Sequence, residues 1–105
     1  MKLNNKIVLI TGASSGIGRA CAVKFAEAGA RLILAARRKN RLQELAVELR
    51  DRHKTESFLV QLDVRDNKAV QQALNNLPVE WQAVDVLINN AGLSRGLDKV
   101  HEANV

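Results

Sequence analysis

A chain of 105 residues has room for at most one domain, which at this size buries roughly two-thirds of its unfolded surface. Its longest apolar runs hold four or five residues, too few to span a membrane, and a single cysteine, Cys21, excludes an internal disulfide. The net charge of +5 would suit a nucleic acid, but neither basic cluster (residues 37–41 and 50–54) contains an aromatic residue. We therefore expect no membrane or nucleic-acid partner. Because the first ten residues also lack a secretory pattern, we expect a cytoplasmic location.

The chain begins with a predicted strand over residues 6–11 and a predicted helix over residues 16–28. An unbroken apolar run in the strand is typical of a parallel strand that is covered on both faces. Gly29 is expected to end the helix. The inward stripe of this helix is predicted to contain Ile17, Ala20, Cys21, Phe25 and Ala28. Cys21 is accordingly interpreted as a packing residue.

Further strands and helices alternate in the same way. The remaining strands are predicted over residues 31–36, 57–62 and 84–88. A helix capped by Asn40 is predicted through residue 53, and Asp66 is predicted to cap a shorter helix that Pro78 stops. This alternation specifies right-handed crossovers and a parallel sheet. The predicted fold class is α/β: a Rossmann-type doubly wound sheet in the order 3-2-1-4, truncated after the fourth strand.

The turn after the first strand has the sequence Thr-Gly-Ala-Ser-Ser-Gly-Ile-Gly. Gly12 allows the chain to leave the strand through left-handed backbone angles, Gly16 removes a side chain where a ligand approaches, and Gly18 allows close packing of the helix. Ser14 and Ser15 can cap the helix or bind a phosphate. The helix N-terminus suits a dinucleotide pyrophosphate. A tight strand–helix turn without a ligand would also use glycine, so both interpretations stay open for this motif alone.

A basic pair follows the second predicted strand. Where an NAD site places a carboxylate for the ribose hydroxyls, about 20 residues after the glycine turn, this chain has Arg37. A guanidinium cannot accept those hydrogen bonds, but it suits a phosphate dianion. The alternative is a solvated start of the next helix. Of the two dinucleotides, this residue favours NADP.

Four segments together resemble the short-chain dehydrogenase/reductase family, in order and at the family's spacing. They are the Gly-x-x-x-Gly-x-Gly turn, Ala-Ala-Arg-Arg at residues 35–38, Leu-Asp-Val at residues 62–64 and Asn-Asn-Ala-Gly at residues 89–92. The resemblance implies a set of NADP-binding residues, which are Gly12, Ser14, Ser15, Gly16, Ile17, Gly18, Arg37, Arg38, Asp63, Val64, Asn90, Ala91 and Gly92.

The resemblance also assigns a role to each segment. The backbone around Ser14, Ser15 and Ile17 would hold the phosphates, and Ser14 would also lie near the 2′-phosphate. Arg37 and Arg38 would clamp that phosphate. Asp63, with Val64 beside it, would accept a hydrogen bond from the adenine amino group, although a loop acid or turn former is the alternative for Asp63. Asn90 would brace the fourth strand and, with Ala91 and Gly92, line the cofactor ribose.

The family's catalytic groups are not assigned to any residue here. Its general acid/base is a tyrosine with a lysine four residues on, and this sequence contains no tyrosine. His53 and His101 are not convincing substitutes, and we expect no metal cluster. The sequence therefore resembles the N-terminal half of a reductase that acts on a small alcohol or carbonyl. A non-catalytic NADP-binding module, or a subunit that pairs with a separate catalytic chain, is the alternative.

Two further expectations concern the C-terminal part of the chain. Residues 92–105 resemble a loop of bacterial family members that act on small 3-hydroxy acids such as serine. A fifth strand normally lies beside the fourth in the doubly wound sheet. Without it, the fourth strand presents an apolar edge that is a template for another chain. We therefore expect self-association through this edge, and a single domain over residues 1–105 that is incomplete at its C-terminus.

Overall fold

Strands and helices alternate through residues 2–14, 16–63 and 65–90, which the computed structural model describes. In chain order they are β1 (Ile7–Thr11), α1 (Gly16–Glu27), β2 (Arg31–Ala36), α2 (Lys39–His53), β3 (Ser57–Gln61), α3 (Asn67–Asn75), a 3-10 turn (Val79–Trp81) and β4 (Val86–Asn89). None of the helices in these ranges has the length and apolar character needed to cross a membrane.

The four strands form one parallel sheet in the order β3-β2-β1-β4, which confirms the predicted topology. β1 lies in the middle, where Leu9 pairs with Ile33 of β2 and with Leu87 of β4. On the other side of β2, Ile33 pairs with Phe58 of β3. Because all four strands run in the same direction, their carboxyl ends share one edge of the sheet. The segments that follow them are brought together there.

The core has two layers, one on each face of the sheet. Val8, Ile10, Leu32 and Leu34 pack against α1 and α2, whose buried contributions are Ala22, Ala26, Leu42, Leu45 and Leu49. The opposite face buries Ile7, Leu9, Ile33 and Ala35 with Leu77 and Trp81. Trp81 also lies 5.8 Å from Phe58 and has the Arg31 guanidinium 4.2 Å from its ring centre. Burial on both faces explains why the sequences of the two central strands, β1 and β2, are continuously apolar.

The predicted inward stripe of α1 is wrong at two positions, Ile17 and Ala20, whereas Ala28 is buried as predicted. Ile17 is 59% exposed and Ala20 is exposed, whereas the buried positions are Gly18, Ala22 and Ala26. These three residues are small and four apart, so this stripe lets the helix axis approach the turn and the sheet closely. Cys21 and Phe25 are partly buried at the border of the core, as expected for packing residues. Burial also raises the pKa of the Cys21 thiol.

Several element boundaries differ by one or two residues from those predicted. α2 begins at Lys39 with Arg38 as its N-cap and no side-chain cap, so the predicted cap at Asn40 is wrong. Asp66 does cap α3, where its carboxylate accepts hydrogen bonds from the backbone N–H groups of Lys68 and Ala69. β4 begins at Val86. The preceding residue, Asp85, accepts a hydrogen bond on its carboxylate from the backbone N–H of Ile7 in β1.

Candidate functional site

The glycine turn between β1 and α1 is closely packed on one side and open on the other. Gly12 has φ +65°, and a Cβ there would lie 2.9 Å from the Asn90 Nδ2 atom. A Cβ on Gly18 would lie 2.1 Å from the Gly12 carbonyl oxygen, so its close contact is with the turn rather than with a strand. At Gly16 a Cβ would meet no atom within 4 Å. That open side leaves room for a ligand above the N-terminus of α1.

Hydrogen bonds tie the end of β4 to this turn. The buried Asn90 side chain donates from Nδ2 to the Gly12 carbonyl oxygen at 3.1 Å. Thr11 Oγ1 donates to Asn89 Oδ1 at 3.0 Å, and these two residues are register partners in the β1–β4 pair. The sequence analysis did not assign this second bond, although both residues end their strands. The two bonds hold the turn in a defined position relative to β4.

The end of β2 presents two exposed arginines at the start of α2. Within the described residues, neither the Arg37 nor the Arg38 guanidinium makes a hydrogen bond or an ion pair. The Arg37 carbonyl accepts a hydrogen bond from Gln61 Nε2 at 3.2 Å, and the Leu62 N–H donates to the Ala36 carbonyl at 3.0 Å. The backbone beneath the two cations is therefore held to β3, while their charged groups are available to an anion.

A carboxylate stands at the end of β3. Asp63 accepts three hydrogen bonds from Arg65, one from its backbone N–H and two from its guanidinium. These bonds, with a smaller contribution from the Arg37 charge, lower the pKa of Asp63 to about 2. Sequence reasoning did not single out Arg65. Four of the predicted site residues, Ser15, Val64, Ala91 and Gly92, lie outside the described residues, as does the segment predicted to resemble a substrate loop.

A cavity of about 180 Å³ lies beside the turn, between α1 and α2. It is lined by Ser14, Arg19, Arg41, Glu44, Leu45 and Glu48. Arg19 and Glu48 form an ion pair across it. With two arginines and two glutamates, the cavity has no formal net charge. It is therefore less suited to a phosphate than the open edge that carries Arg37 and Arg38.

The described residues thus bring together the three kinds of group that a phosphorylated dinucleotide requires. The open helix N-terminus suits a pyrophosphate. The Arg37 and Arg38 guanidinium groups suit a further phosphate, and the ionised carboxylate of Asp63 suits an amino group. Among the residues described, no three of the types His, Cys, Asp and Glu are grouped as a metal site would require.

The family described as short chain dehydrogenase matches residues 6–105, so the chain belongs to the short-chain dehydrogenase family. This confirms the family that the four sequence segments indicated. The match covers all of the strands and helices given above.

Named relatives and solved structures agree with this assignment. The chain is 46% identical over 105 residues to an NADP-dependent 3-hydroxy acid dehydrogenase of Schizosaccharomyces pombe, covering 99% of this chain and 40% of the relative. It is 43% identical over 99 residues to the enzyme of the same description from Shigella flexneri, covering 94% and 38%. L-sorbose reductase of Gluconobacter frateurii, solved with NADPH and L-sorbose, superposes with a TM-score of 0.79 at 37% identity, covering 88% of this chain and 35% of that one. The chain spans about two-fifths of the length of the curated relatives.

Proposed function

We propose that this chain binds NADP(H) at the carboxyl edge of its sheet and forms the cofactor-binding part of an NADP-dependent oxidoreductase. The observation that carries the proposal is the pair Arg37 and Arg38 at the end of β2. Their guanidinium groups are exposed and unpaired among the described residues, beside an open glycine turn. An NAD site would have a carboxylate at this position. The relatives named as NADP-dependent and the NADPH complex of L-sorbose reductase support the same cofactor.

The residues at the turn fit the phosphates of such a cofactor. We assign the pyrophosphate to the backbone around Ser14, Ser15 and Ile17, at the N-terminus of the 12-residue α1. Gly12 and Gly18 keep the turn tight, and the open side at Gly16 lets the phosphates approach the backbone. The 2′-phosphate is assigned to Arg37 and Arg38, with Ser14 close by.

The remaining assignments concern the two ends of the adenosine. Asp63 is assigned to the adenine amino group, since its carboxylate is ionised and 40% of its side chain is exposed. Val64 is placed beside the adenine. Asn90, Ala91 and Gly92 are assigned to the ribose on the nicotinamide side, and Asn90 also ties β4 to the turn. None of these residues is assigned a catalytic role.

When bound, NADP(H) accepts or supplies a hydride, and we propose that the substrate of the whole protein is a small alcohol or carbonyl compound. The two relatives named as 3-hydroxy acid dehydrogenases support a small 3-hydroxy acid. The contribution of the residues described here is to hold the cofactor at a fixed place on the sheet. A cytoplasmic location is proposed as well, because the one cysteine, Cys21, is a free thiol and suits a reducing compartment.

A second candidate is a non-catalytic NADP-binding module or partner subunit. The two candidates differ in whether the whole protein supplies the family's proton donor, which is a tyrosine. The gene sequence after codon 105 separates the two candidates. An in-frame continuation with a serine and a Tyr-x-x-x-Lys segment supports the enzyme. A stop codon without such a segment in a neighbouring frame supports the module.

We also propose that the isolated 105-residue chain associates with a second copy through the outer edge of β4. Within the described residues, β4 pairs only with β1, so its other side has no strand partner. Leu87 on this strand is 45% exposed. An apolar strand with free N–H and C=O groups is a template for pairing with another chain.

The cofactor proposal is tested by titrating the chain with NADPH and NADH and following the cofactor fluorescence. We expect tighter binding of NADPH. We expect Arg37→Asp to weaken NADPH binding by about 10- to 100-fold, since a hydrogen bond to a charged group contributes about 1.5–3 kcal/mol. Arg50→Asp is the matched control, because it makes the same charge change in the last turn of α2. Equal affinities for NADPH and NADH in the parent chain would contradict the proposal.

A further inference from the structure

The carboxylate of Asp63 is held in place by a neighbouring arginine. Oδ1 accepts hydrogen bonds from the Arg65 backbone N–H at 3.0 Å and from Arg65 Nε at 3.1 Å. Oδ2 accepts from Arg65 Nη2 at 3.1 Å. The guanidinium therefore engages both oxygens at once, which restricts rotation of the carboxylate.

These bonds limit what else the carboxylate can accept. An ionised carboxylate offers about four lone-pair sites, two on each oxygen. Arg65 uses both sites on Oδ1 and one on Oδ2, so a single site on Oδ2 remains. The Asp63 side chain is 40% exposed, so its carboxylate is open to a ligand at the edge of the sheet. The arrangement matches a ligand that presents one N–H group.

A backbone hydrogen bond also holds Asp63 in place. The Asp66 N–H donates to the Asp63 carbonyl at 3.0 Å, and Asp66 caps α3. The carbonyl of Asp63 and its carboxylate are therefore both engaged in hydrogen bonds. The position of the remaining acceptor site is set by these contacts of Asp63 with Arg65 and Asp66.

We propose that Arg65 is a positioning residue that leaves Asp63 one oriented acceptor site and so makes the cofactor site selective for adenine over a 6-oxopurine. This inference rests on the proposed function, in which Asp63 faces the adenine. The amino group of adenine donates a hydrogen bond to Oδ2. Hypoxanthine carries an oxygen at the same position, and this oxygen is repelled by the carboxylate. A merely local surface ion pair between Arg65 and Asp63 would have no effect on the choice of base.

The test compares NADPH with its deamino analogue, which carries hypoxanthine in place of adenine. Dissociation constants of both cofactors are measured for the 105-residue chain and for Arg65→Ala. We expect the parent to prefer NADPH by about tenfold or more, as for one hydrogen bond to a charged group. In Arg65→Ala we expect this preference to fall by about threefold or more. Without Arg65, the Asp63 carboxylate also adopts orientations in which it bonds to water instead of to the base.

Arg50→Ala is the matched control, since Arg50 is similarly exposed and lies 3.7 Å from the adjacent Asp51 carboxylate. We expect it to leave the base preference unchanged. If Arg65→Ala does not fold, as judged by Trp81 fluorescence, Arg65→Gln gives the same comparison, because it keeps a long side chain without the fork. An unchanged preference in the folded variant overturns the role of Arg65 and leaves the proposed function standing. Failure of the parent chain to bind NADPH overturns both.

Discussion

Two glycines of the same turn should respond in opposite ways to alanine. The added methyl group of Gly18→Ala would lie 2.1 Å from the Gly12 carbonyl oxygen and 2.9 Å from its carbon. These are backbone atoms at the start of the turn, so relief of the clash requires α1 and the turn to move apart. At Gly16 the same methyl group meets no atom within 4 Å. The two substitutions therefore add the same methyl group, but only the one at Gly18 adds it where other atoms are in close contact.

The expected free-energy changes follow from these contacts. Overpacking costs about 1–3 kcal/mol, and more where rigid backbone must move. Alanine gains up to about 1 kcal/mol over glycine in a helix. We therefore expect Gly18→Ala to lower the free energy of unfolding by at least about 1 kcal/mol. Gly16→Ala should leave it unchanged or raise it slightly, since this residue begins α1.

Urea unfolding followed by the fluorescence of the buried Trp81 measures both changes. NADPH titration of Gly16→Ala adds a second measurement, because its methyl group fills the open side of the turn. We expect this variant to keep the parent's stability and to bind NADPH more weakly. A midpoint for Gly18→Ala equal to or above that of the parent would refute the packing argument. Unchanged NADPH binding in Gly16→Ala would refute the assignment of the phosphates to this side.

Three further predictions follow from individual contacts. Asn90→Ala removes the buried hydrogen bond to the Gly12 carbonyl, and we expect a loss of about 1–3 kcal/mol in urea unfolding. Since the pKa of Asp63 is lowered to about 2, its contribution to stability is present above its unfolded pKa and is lost as the pH falls through about 2; NMR titration of this carboxyl should show the low value, and a higher one in Arg65→Ala. Leu87→Lys places a charge on the edge strand β4, and we expect it to reduce self-association in light scattering over a concentration series.

Each of these measurements has a control or a contradicting result. Asn75→Ala, at the exposed end of α3, should leave the unfolding midpoint nearly unchanged. An Asp63 pKa close to 3.8 in the parent would mean that the Arg65 fork does not form in solution. Val79→Lys, at an exposed apolar residue of the 3-10 turn, should not alter self-association. A parent chain that stays monomeric at high concentration would contradict the proposed edge pairing.

The order of the strands could be predicted from local sequence patterns, and with it the edge of the sheet at which the candidate site residues lie. Continuous apolar runs such as that of β2 are required by burial on both faces, and the turn residues between them specify crossovers. Gly12 and Asp66 were also predictable, because a left-handed backbone angle and a helix cap each depend on one residue and its immediate neighbours. The family and the positions of Arg37 and Arg38 follow from the same local spacing.

Tertiary contacts decided what local pattern could not. The buried face of α1 is set by the contact of Gly18 with the Gly12 carbonyl, and this distance overrides the stripe favoured by the larger apolar residues such as Ile17. The bond between Thr11 and Asn89 joins residues 78 positions apart and exists only because β1 and β4 pair in register. Arg65 lies only two residues after Asp63, yet this spacing does not by itself imply that the guanidinium contacts the carboxylate. Three hydrogen-bond distances between Arg65 and Asp63 show how many acceptor sites remain on the Asp63 carboxylate. These distances are known only from the folded structure.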